Sequence, residues 1–255
     1  MISFNFFLNN LKQGLNSEWT DTRLAVWIVM VAILFSYSIY SWCSVETVIK
    51  LGLEIGPFEL GTSLCFLLSS IYFFRSFKST KSIFFLLLGF VFFFGAAEEI
   101  SWGQKIIHFE TPESIKKANI QDEFNIHNLH TFNTGDDDHQ KKQGLARLLE
   151  FNFLFRIFCL SFGILLPLIK YASTDINFWL KRIKLPVPPL TLGVFFMINW
   201  IVFRLTLTLV RQDIPDEKYY DTASETFESI ASVIFLLIAL SFHKSKSNQF
   251  SSPTY

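Results

Sequence analysis

Six apolar stretches separated by polar segments dominate the pattern of this chain. They cover residues 24–42, 58–74, 83–97, 151–168, 190–210 and 223–242. A helix needs roughly 20 residues to cross the hydrocarbon of a bilayer, and several of these stretches approach that length. The pattern therefore predicts an all-α, polytopic transmembrane bundle of about six spans, which forms a single integral membrane domain over residues 1–255.

The composition agrees with this class and excludes others. Hydrophobic residues make up 51% of the chain and its formal net charge is zero, so no basic stripe is available for nucleic acid. The three cysteines lack the spacing of a zinc ribbon or a disulfide framework. Nothing in the sequence indicates a nucleotide cofactor.

The charges are distributed unequally between the two sides of the predicted membrane. The connections on one side, residues 1–23, 75–81, 170–184 and 243–255, hold 11 Lys and Arg against 3 acids. Because basic loops stay in the cytoplasm, this side is predicted to be cytoplasmic, with both termini on it. The segment 98–150 is then extracytoplasmic.

That segment is too long for a passive turn, and its sequence predicts a partly helical structure. Thr111-Pro112-Glu113 has the pattern of a helix start, which predicts a short helix from Pro112 to about Asn119. We expect a further helix over residues 121–132.

Charged residues within or beside the apolar stretches indicate where chemistry takes place. An unpaired charge at membrane depth costs several kcal/mol, so such side chains turn toward partners inside the bundle. We therefore expect one polar cavity in the outer leaflet. The residues predicted to act catalytically there are Glu98, Glu99, Arg204 and Arg211, and Glu225 and Glu228 of the sixth stretch join them.

Some of these residues have a second interpretation. Glu98 and Glu99 are adjacent and cannot share a helix face, so at most one points into the cavity, and Glu98 is the preferred one. Thr222 and Glu225 have the spacing of a capping box, in which Glu225 would stabilise the start of the sixth helix.

A carboxylate and two imidazoles in the long segment indicate a metal site. If residues 121–132 are helical, Glu123, His127 and His130 lie on one face at positions i, i+4 and i+7. An ordinary solvated helix surface is the alternative. The predicted ligands of a divalent metal, whose identity stays open, are Glu98, Glu123, His127, His130 and Glu228.

Four short motifs resemble the signature of a family of bacterial polytopic membrane proteins with no assigned function. They are EEISWGQ from Glu98, ETPE from Glu110, NIQDE from Asn119 and IHNL from Ile126, with Asp122 at a position where the family is expected to carry glycine. The resemblance implies the bacterial cytoplasmic (inner) membrane. It also implies one constellation, in which Trp102, Gln104, Gln121, Asn128 and Glu225 support the candidate catalytic and metal-binding residues.

Three functions remain open at this level. The first is a metal-dependent hydrolase or transferase acting on a lipid or lipid-linked envelope substrate, with Arg204 or Arg211 receiving a phosphate headgroup. The second is a proton- or ion-coupled transporter. The third is a scaffold whose charges only tie helices together. Membrane lipid is the expected partner in each case, and the oligomeric state stays open.

Overall fold

The computed structural model describes residues 4–53, 56–132, 148–210 and 217–250, and no β-strand occurs among them. The helices are α1 (Phe4–Trp42), α2 (Val45–Leu51), α3 (Pro57–Thr80), α4 (Ile83–Glu99), α5 (Gln104–Ile107), α6 (Glu113–Lys116), α7 (Phe151–Leu160), α8 (Leu166–Ala172), α9 (Thr174–Arg182), α10 (Leu190–Val210) and α11 (Glu217–Phe250). A 3₁₀ turn, Ser101–Gly103, follows α4, and a π-helical segment, Ser161–Leu165, joins α7 to α8.

The structure confirms an all-α, multi-pass membrane protein. Five helical stretches are long and apolar enough to cross a bilayer: Asn5–Trp42, Pro57–Thr80, Phe151–Ala172, Leu190–Leu209 and Asp221–His243. The remaining predicted span corresponds to α4, which is strongly apolar but has only 17 residues. Its crossing of the membrane stays a prediction.

Helices α3 and α4 form an antiparallel hairpin along their whole length. The Ser63 hydroxyl donates to the Ala96 carbonyl at 2.8 Å, and the Ser70 hydroxyl donates to the Gly89 carbonyl at 2.7 Å. Because α3 runs away from the long segment and α4 returns to it, the bundle has two distinct ends. We call them the loop end, where α4 finishes and α7 and α11 begin, and the basic end, formed by residues 75–81 and 170–184.

Helix α11 lies at the centre of the bundle. Phe235, in its middle, is fully buried and packs against Phe92 of α4 and Phe196 of α10, with ring centroids 4.8 and 4.6 Å away. Asn199 is also fully buried and links three helices: it accepts from the Tyr37 hydroxyl and donates to the Phe227 carbonyl, both at 2.9 Å. Interhelical hydrogen bonds of this kind stabilise helix packing in lipid.

Three local predictions are corrected by the structure. The helix expected over residues 121–132 is wrong, because this stretch consists of turns and one isolated bridge between Asn119 and Leu129. Helix α6 is shorter than predicted, with Pro112 at its N-cap. The capping box is also wrong, because α11 begins at Glu217 and the Thr222 hydroxyl instead donates to the Lys218 carbonyl inside the helix.

Candidate functional site

The site begins where α4 ends and the chain reverses sharply. Ser101, Trp102 and Gly103 all adopt positive φ angles, of 47°, 54° and 80°. This conformation costs energy for residues other than glycine and is found where surrounding contacts hold the backbone in place. The reversal folds the Trp102 ring back onto α4, where it packs edge-on against Phe94 and its Nε1–H donates to Glu98 Oε1 at 2.5 Å.

Glu98 is the hub of the connection that follows. Its carboxylate is only 2% exposed, and its Oε2 accepts from the backbone N–H groups of Ile126 and His127 at 2.7 and 3.0 Å. The His127 ring Nδ1 lies 3.3 Å from the same oxygen. One buried carboxylate therefore holds both the strained Trp102 turn and a loop more than twenty residues further along the chain.

Two buried asparagines organise the loop itself. Asn119 Oδ1 accepts from the backbone N–H groups of Gln121 and Glu123, and Asn119 Nδ2 donates to Asn125 Oδ1 at 2.8 Å. Asn125 Nδ2 and the Ser101 hydroxyl both donate to Glu123 Oε2, at 2.7 and 2.5 Å. Side chains that satisfy backbone groups in this way compete with helix formation, which explains why residues 121–132 are not helical.

The predicted supporting residues complete the same network. Gln104 Oε1 accepts from the backbone N–H of Phe124, and Asn128 Nδ2 donates to Gln121 Oε1 at 2.6 Å. Asp122 has a φ of 58°, in the left-handed region that glycine adopts freely and that Asp tolerates better than most residues. We call the network over residues 98–130 the polar clasp. It fixes the irregular backbone of this segment over the loop end of the bundle.

A cavity of about 1510 Å³ lies beneath the polar clasp. Its wall and floor are rich in phenylalanine, including Phe66, Phe92, Phe155 and Phe158, while polar groups come from α3, α4, α11 and the clasp. The acidic and histidine residues that line it are Glu59, Glu98, Glu99, His127, His130, Asp221, Glu225 and Glu228. The site thus combines an aromatic interior with several carboxylates.

Glu98 and Glu99 both belong to this acidic group, but they differ in their partners. Glu99 is close enough to Glu228, Glu225 and Glu59 for their like charges to repel. Glu98 also borders the cavity, but its oxygens are engaged by the polar clasp. Both neighbours border the cavity, and the preference for Glu98 as the cavity-facing residue stays a prediction.

The basic side chains near these acids are Lys218 and His127, which line the cavity, and Arg156, which does not line it. Arg156, on α7, interacts electrostatically with Glu228, and its guanidinium lies 5.8 Å from the ring centroid of Phe203. His127 lines the cavity and also interacts with Glu228. A cation close to a carboxylate lowers the cost of keeping that carboxylate charged inside a bundle.

Several predicted site residues lie elsewhere. Arg204 is exposed and is not among the residues lining the cavity, and Arg211 lies outside the described residues. Glu123, Trp102 and Gln104 stabilise the polar clasp without lining the cavity. The remaining predicted residues, Gln121, Asn128, His130 and Glu225, do line it.

Of the predicted metal set, Glu98, His127, His130 and Glu228 line the cavity and Glu123 does not, and the metal site stays a prediction. Within the part of the chain that the structure describes, no three His, Cys, Asp or Glu residues are placed to hold one ion. Glu98 already accepts from three N–H donors, and Glu123 Oε2 accepts from two donors. The helical spacing that suggested the site is also absent, because Glu123 and His127 stand on turns. We therefore assign no chemistry to a metal.

Several contributors to the site were not among the predicted site residues, and Glu59, Ser101 and Asn125 are three of them. Glu59 stands within the second apolar stretch, where a lone charge is itself a signal of function. Ser101 and Asn125 carry no such signal, because their importance arises from tertiary contacts. Ser101 hydrogen-bonds to Glu123 and Asn125 across more than twenty residues of chain, and Asn125 hydrogen-bonds to Glu123 two residues away.

The fold and the site together define a multi-pass helical membrane protein with an acidic, aromatic-walled cavity at one end. No family model, curated protein or solved structure matches this chain. The resemblance to a bacterial membrane family consequently stays a prediction, and the function has to be argued from the site alone.

Proposed function

We propose that this protein binds an amphipathic lipid or envelope substrate in the cavity and acts on it, as a hydrolase or transferase, by acid–base chemistry. The observation that carries this proposal is the meeting of Glu99 of α4 and Glu228 of α11 in one cavity, with Arg156 and His127 beside them. Enzymes use neighbouring carboxylates in different surroundings to supply a proton donor and a proton acceptor at one site.

The lining of the cavity supports an amphipathic substrate. Phenylalanine rings such as Phe66 and Phe155 offer an apolar surface to a hydrocarbon chain, and the carboxylates and His127 lie toward the polar clasp. A substrate entering from the bilayer would then keep its tail among the rings and bring its polar head to the acids. Ligand sites that are mostly apolar with a few convergent polar groups are typical of small-molecule binding.

Each charged residue has a distinct part in the proposed reaction. One carboxylate of the Glu99 and Glu228 pair takes a proton from the attacking water or hydroxyl group, and the other gives a proton to the leaving group. Arg156 interacts electrostatically with Glu228 and favours its charged form against the effect of burial. Glu98 keeps His127 at the cavity wall through its ring Nδ1, which leaves Nε2 to contact the substrate.

The proposal places the cavity on the extracytoplasmic side of a bacterial inner membrane, since the basic end should stay in the cytoplasm. We expect topology-reporter fusions after residue 78 to report a cytoplasmic location and fusions after residue 137 to report the opposite side. The reverse pattern would put the cavity in the cytoplasm and remove external envelope precursors as substrates.

A substitution of Glu228 by Gln tests the proposed chemistry. Because Gln neither takes nor gives a proton, the reaction should slow by roughly 10²- to 10⁴-fold while the bundle still folds. In cells whose only copy carries Glu228→Gln, mass spectrometry of membrane lipids and envelope precursors should show accumulation of one species, matching a deletion strain. Protein amount and melting temperature should equal those of the wild type.

Glu46→Gln provides a matched control. Glu46 is an exposed α2 residue that pairs with Lys50 at 2.7 Å and does not line the cavity, and its variant should give a wild-type profile. The proposal fails if Glu228→Gln cells have the wild-type profile while the deletion strain does not. A variant that loses proton-dependent uptake of a solute, without any change in lipids, would instead identify a carrier. Loss of folding alone would identify a scaffold.

A further inference from the structure

A second pocket, unrelated to the cavity, lies at the basic end between α1 and α9. Its volume is about 560 Å³, which is within the range of small-molecule sites. Most of the residues that line it are of polar types: Asn10, Gln13 and Ser17 come from α1, and Asn177 and Lys181 come from α9. None of these residues takes part in the proposed reaction, so the pocket requires an explanation of its own.

The charges of this pocket favour an anion. Lys170 and Lys181 line it against one acid, Glu18. That acid is already engaged, because Glu18 Oε1 accepts from the Tyr171 hydroxyl at 2.5 Å and Oε2 accepts from the Thr191 N–H at 3.2 Å. Lys170 Nζ lies 3.7 Å from Glu18 Oε1, so the two residues form a long ion pair. Lys181 is exposed and adds the positive charge that Glu18 does not balance.

Donors suited to phosphate oxygens surround the two lysines. The side chains of Ser173, Thr174 and Asn177 line the pocket on the α9 side, and that of Gln13 lines it on the α1 side. Hydroxyl and amide groups together with ammonium groups are the usual ligands of phosphate outside arginine clusters. The chemistry that fits this pocket is therefore that of a phosphomonoester or phosphodiester anion.

Helix α9 indicates that this anion belongs to a lipid. Phe178 and Trp179 are 63% and 57% exposed, on the same short helix that contributes Lys181 to the pocket. The Arg182 guanidinium lies 5.1 Å from the centroid of the Trp179 ring. Short helices with exposed aromatic residues and Lys or Arg on the polar face lie in the membrane interface, with the apolar face among acyl chains. A soluble phosphate ion has no apolar part that could pack against these exposed aromatic side chains.

We propose that the pocket between α1 and α9 binds the phosphate of an anionic phospholipid, with Lys170 and Lys181 as its charged ligands and the acyl chains beside Phe178 and Trp179. Basic pockets between helices at the cytoplasmic side of membrane proteins recognise anionic lipid headgroups on the same physical grounds. This inference stands independently of the reaction proposed for the cavity.

The test uses the purified full-length protein in detergent, with phosphatidylglycerol or phosphatidylcholine of identical acyl chains added. Native mass spectrometry should detect bound phosphatidylglycerol in the wild type, and the melting temperature should rise with it. Lys181→Gln should weaken binding about tenfold, the value of one charge-assisted hydrogen bond, without unfolding the protein, because Lys181 is exposed. Lys170→Gln should weaken binding similarly, and added salt should weaken it further.

Lys50→Gln is the control variant, because Lys50 is an exposed lysine at the loop end and should bind phosphatidylglycerol as the wild type does. Three results would overturn the proposal. These are equal phosphatidylglycerol binding by Lys181→Gln and wild type, equal binding of phosphatidylcholine, and stabilisation by inorganic phosphate alone that matches the lipid. The last result would reassign the pocket to a free anion.

Discussion

Replacing Glu98 by Ala should detach the polar clasp from the bundle. The substitution removes the acceptor of the Trp102 Nε1–H and of the Ile126 and His127 backbone N–H groups, and it leaves these donors without their partner. Removing one partner of a buried, charged hydrogen-bond network costs about 3–5 kcal/mol. For a chain of this size that corresponds to a melting temperature lower by about 10 °C.

Hydrogen exchange provides the local measurement of the same effect. Amides of residues 119–130 should exchange faster in Glu98→Ala, while amides in the middle of α11 stay protected, because Phe235 is buried against Phe92 and Phe196. Glu98→Gln should also weaken the polar clasp. The glutamine amide has one acceptor and one donor, and the donor would face N–H groups that donate to the second carboxylate oxygen in the wild type.

Glu46→Ala is the appropriate comparison for Glu98→Ala. Both changes remove a glutamate, but the Glu46 side chain is 80% exposed and its pair with Lys50 contributes only about 0.3–0.5 kcal/mol. If Glu98→Ala melts and exchanges like Glu46→Ala, the carboxylate of Glu98 is not the hub that its hydrogen bonds indicate.

The second large effect is expected at the crossing of α10 and the π-helical segment. Gly193 of α10 lies against Gly163 so closely that a Cβ atom on Gly193 would overlap the Gly163 carbonyl oxygen. Because the obstacle is backbone, no side-chain movement relieves it, and the two helices have to separate. Overpacking ordinarily costs about 1–3 kcal/mol, and a backbone clash belongs at or above the upper limit. Gly193→Ala should therefore melt at a clearly lower temperature and be recovered in smaller amounts from membranes.

Gly61→Ala is the control for a helical glycine with free space. A Cβ atom on Gly61 would meet Ser229 Oγ at 3.8 Å, which is ordinary contact, and alanine favours a helix over glycine by about 1 kcal/mol. Gly61→Ala should be neutral or stabilising. A melting temperature of Gly193→Ala equal to that of Gly61→Ala would show that α10 and the π-helical segment do not approach this closely.

The regions changed by Glu98→Ala and Gly193→Ala both position residues of the cavity. The α4 end and the polar clasp place Glu99 and His127 at the cavity, and the helix that continues into the π-helical segment carries Arg156 toward Glu228. Small residues let helices in lipid approach closely. Gly163 and Gly193 therefore set the distance between α10 and the π-helical segment that continues α7. A shift at this crossing should therefore disturb the charge balance of the cavity, although neither glycine lines it.

The candidate site was only partly predictable from the sequence, for reasons that particular residues make clear. Glu99, Glu225, Glu228 and His127 do line one cavity, because charges in or beside apolar stretches have to find one another within the bundle. The sequence favoured Arg204, whereas Arg156 is the arginine near Glu228. Both arginines lie in apolar helices. Which of them lies near Glu228 depends on how each helix is rotated about its axis relative to its neighbours, and the sequence does not show this rotation.

By itself the sequence determined the class of protein and the position of most helices. Hydropathy acts along the chain, so stretches such as 151–168 and 190–210 are recognisable as membrane helices without knowledge of their neighbours. The motifs around Glu98 and Asn119 also marked the residues that assemble into one network.

The tertiary structure decided what those residues do. Asn119 and Asn125 satisfy backbone groups and prevent a helix that the spacing of Glu123 and His127 had suggested. The metal site that this spacing predicted stays a prediction. The difference in partners between Glu98, which holds the clasp, and Glu99, which lies near the other acids of the cavity, depends on contacts with residues far away in the chain. The local sequence pattern indicates whether a segment prefers to be helical. The partner of each buried polar group is decided only when the helices assemble into the bundle.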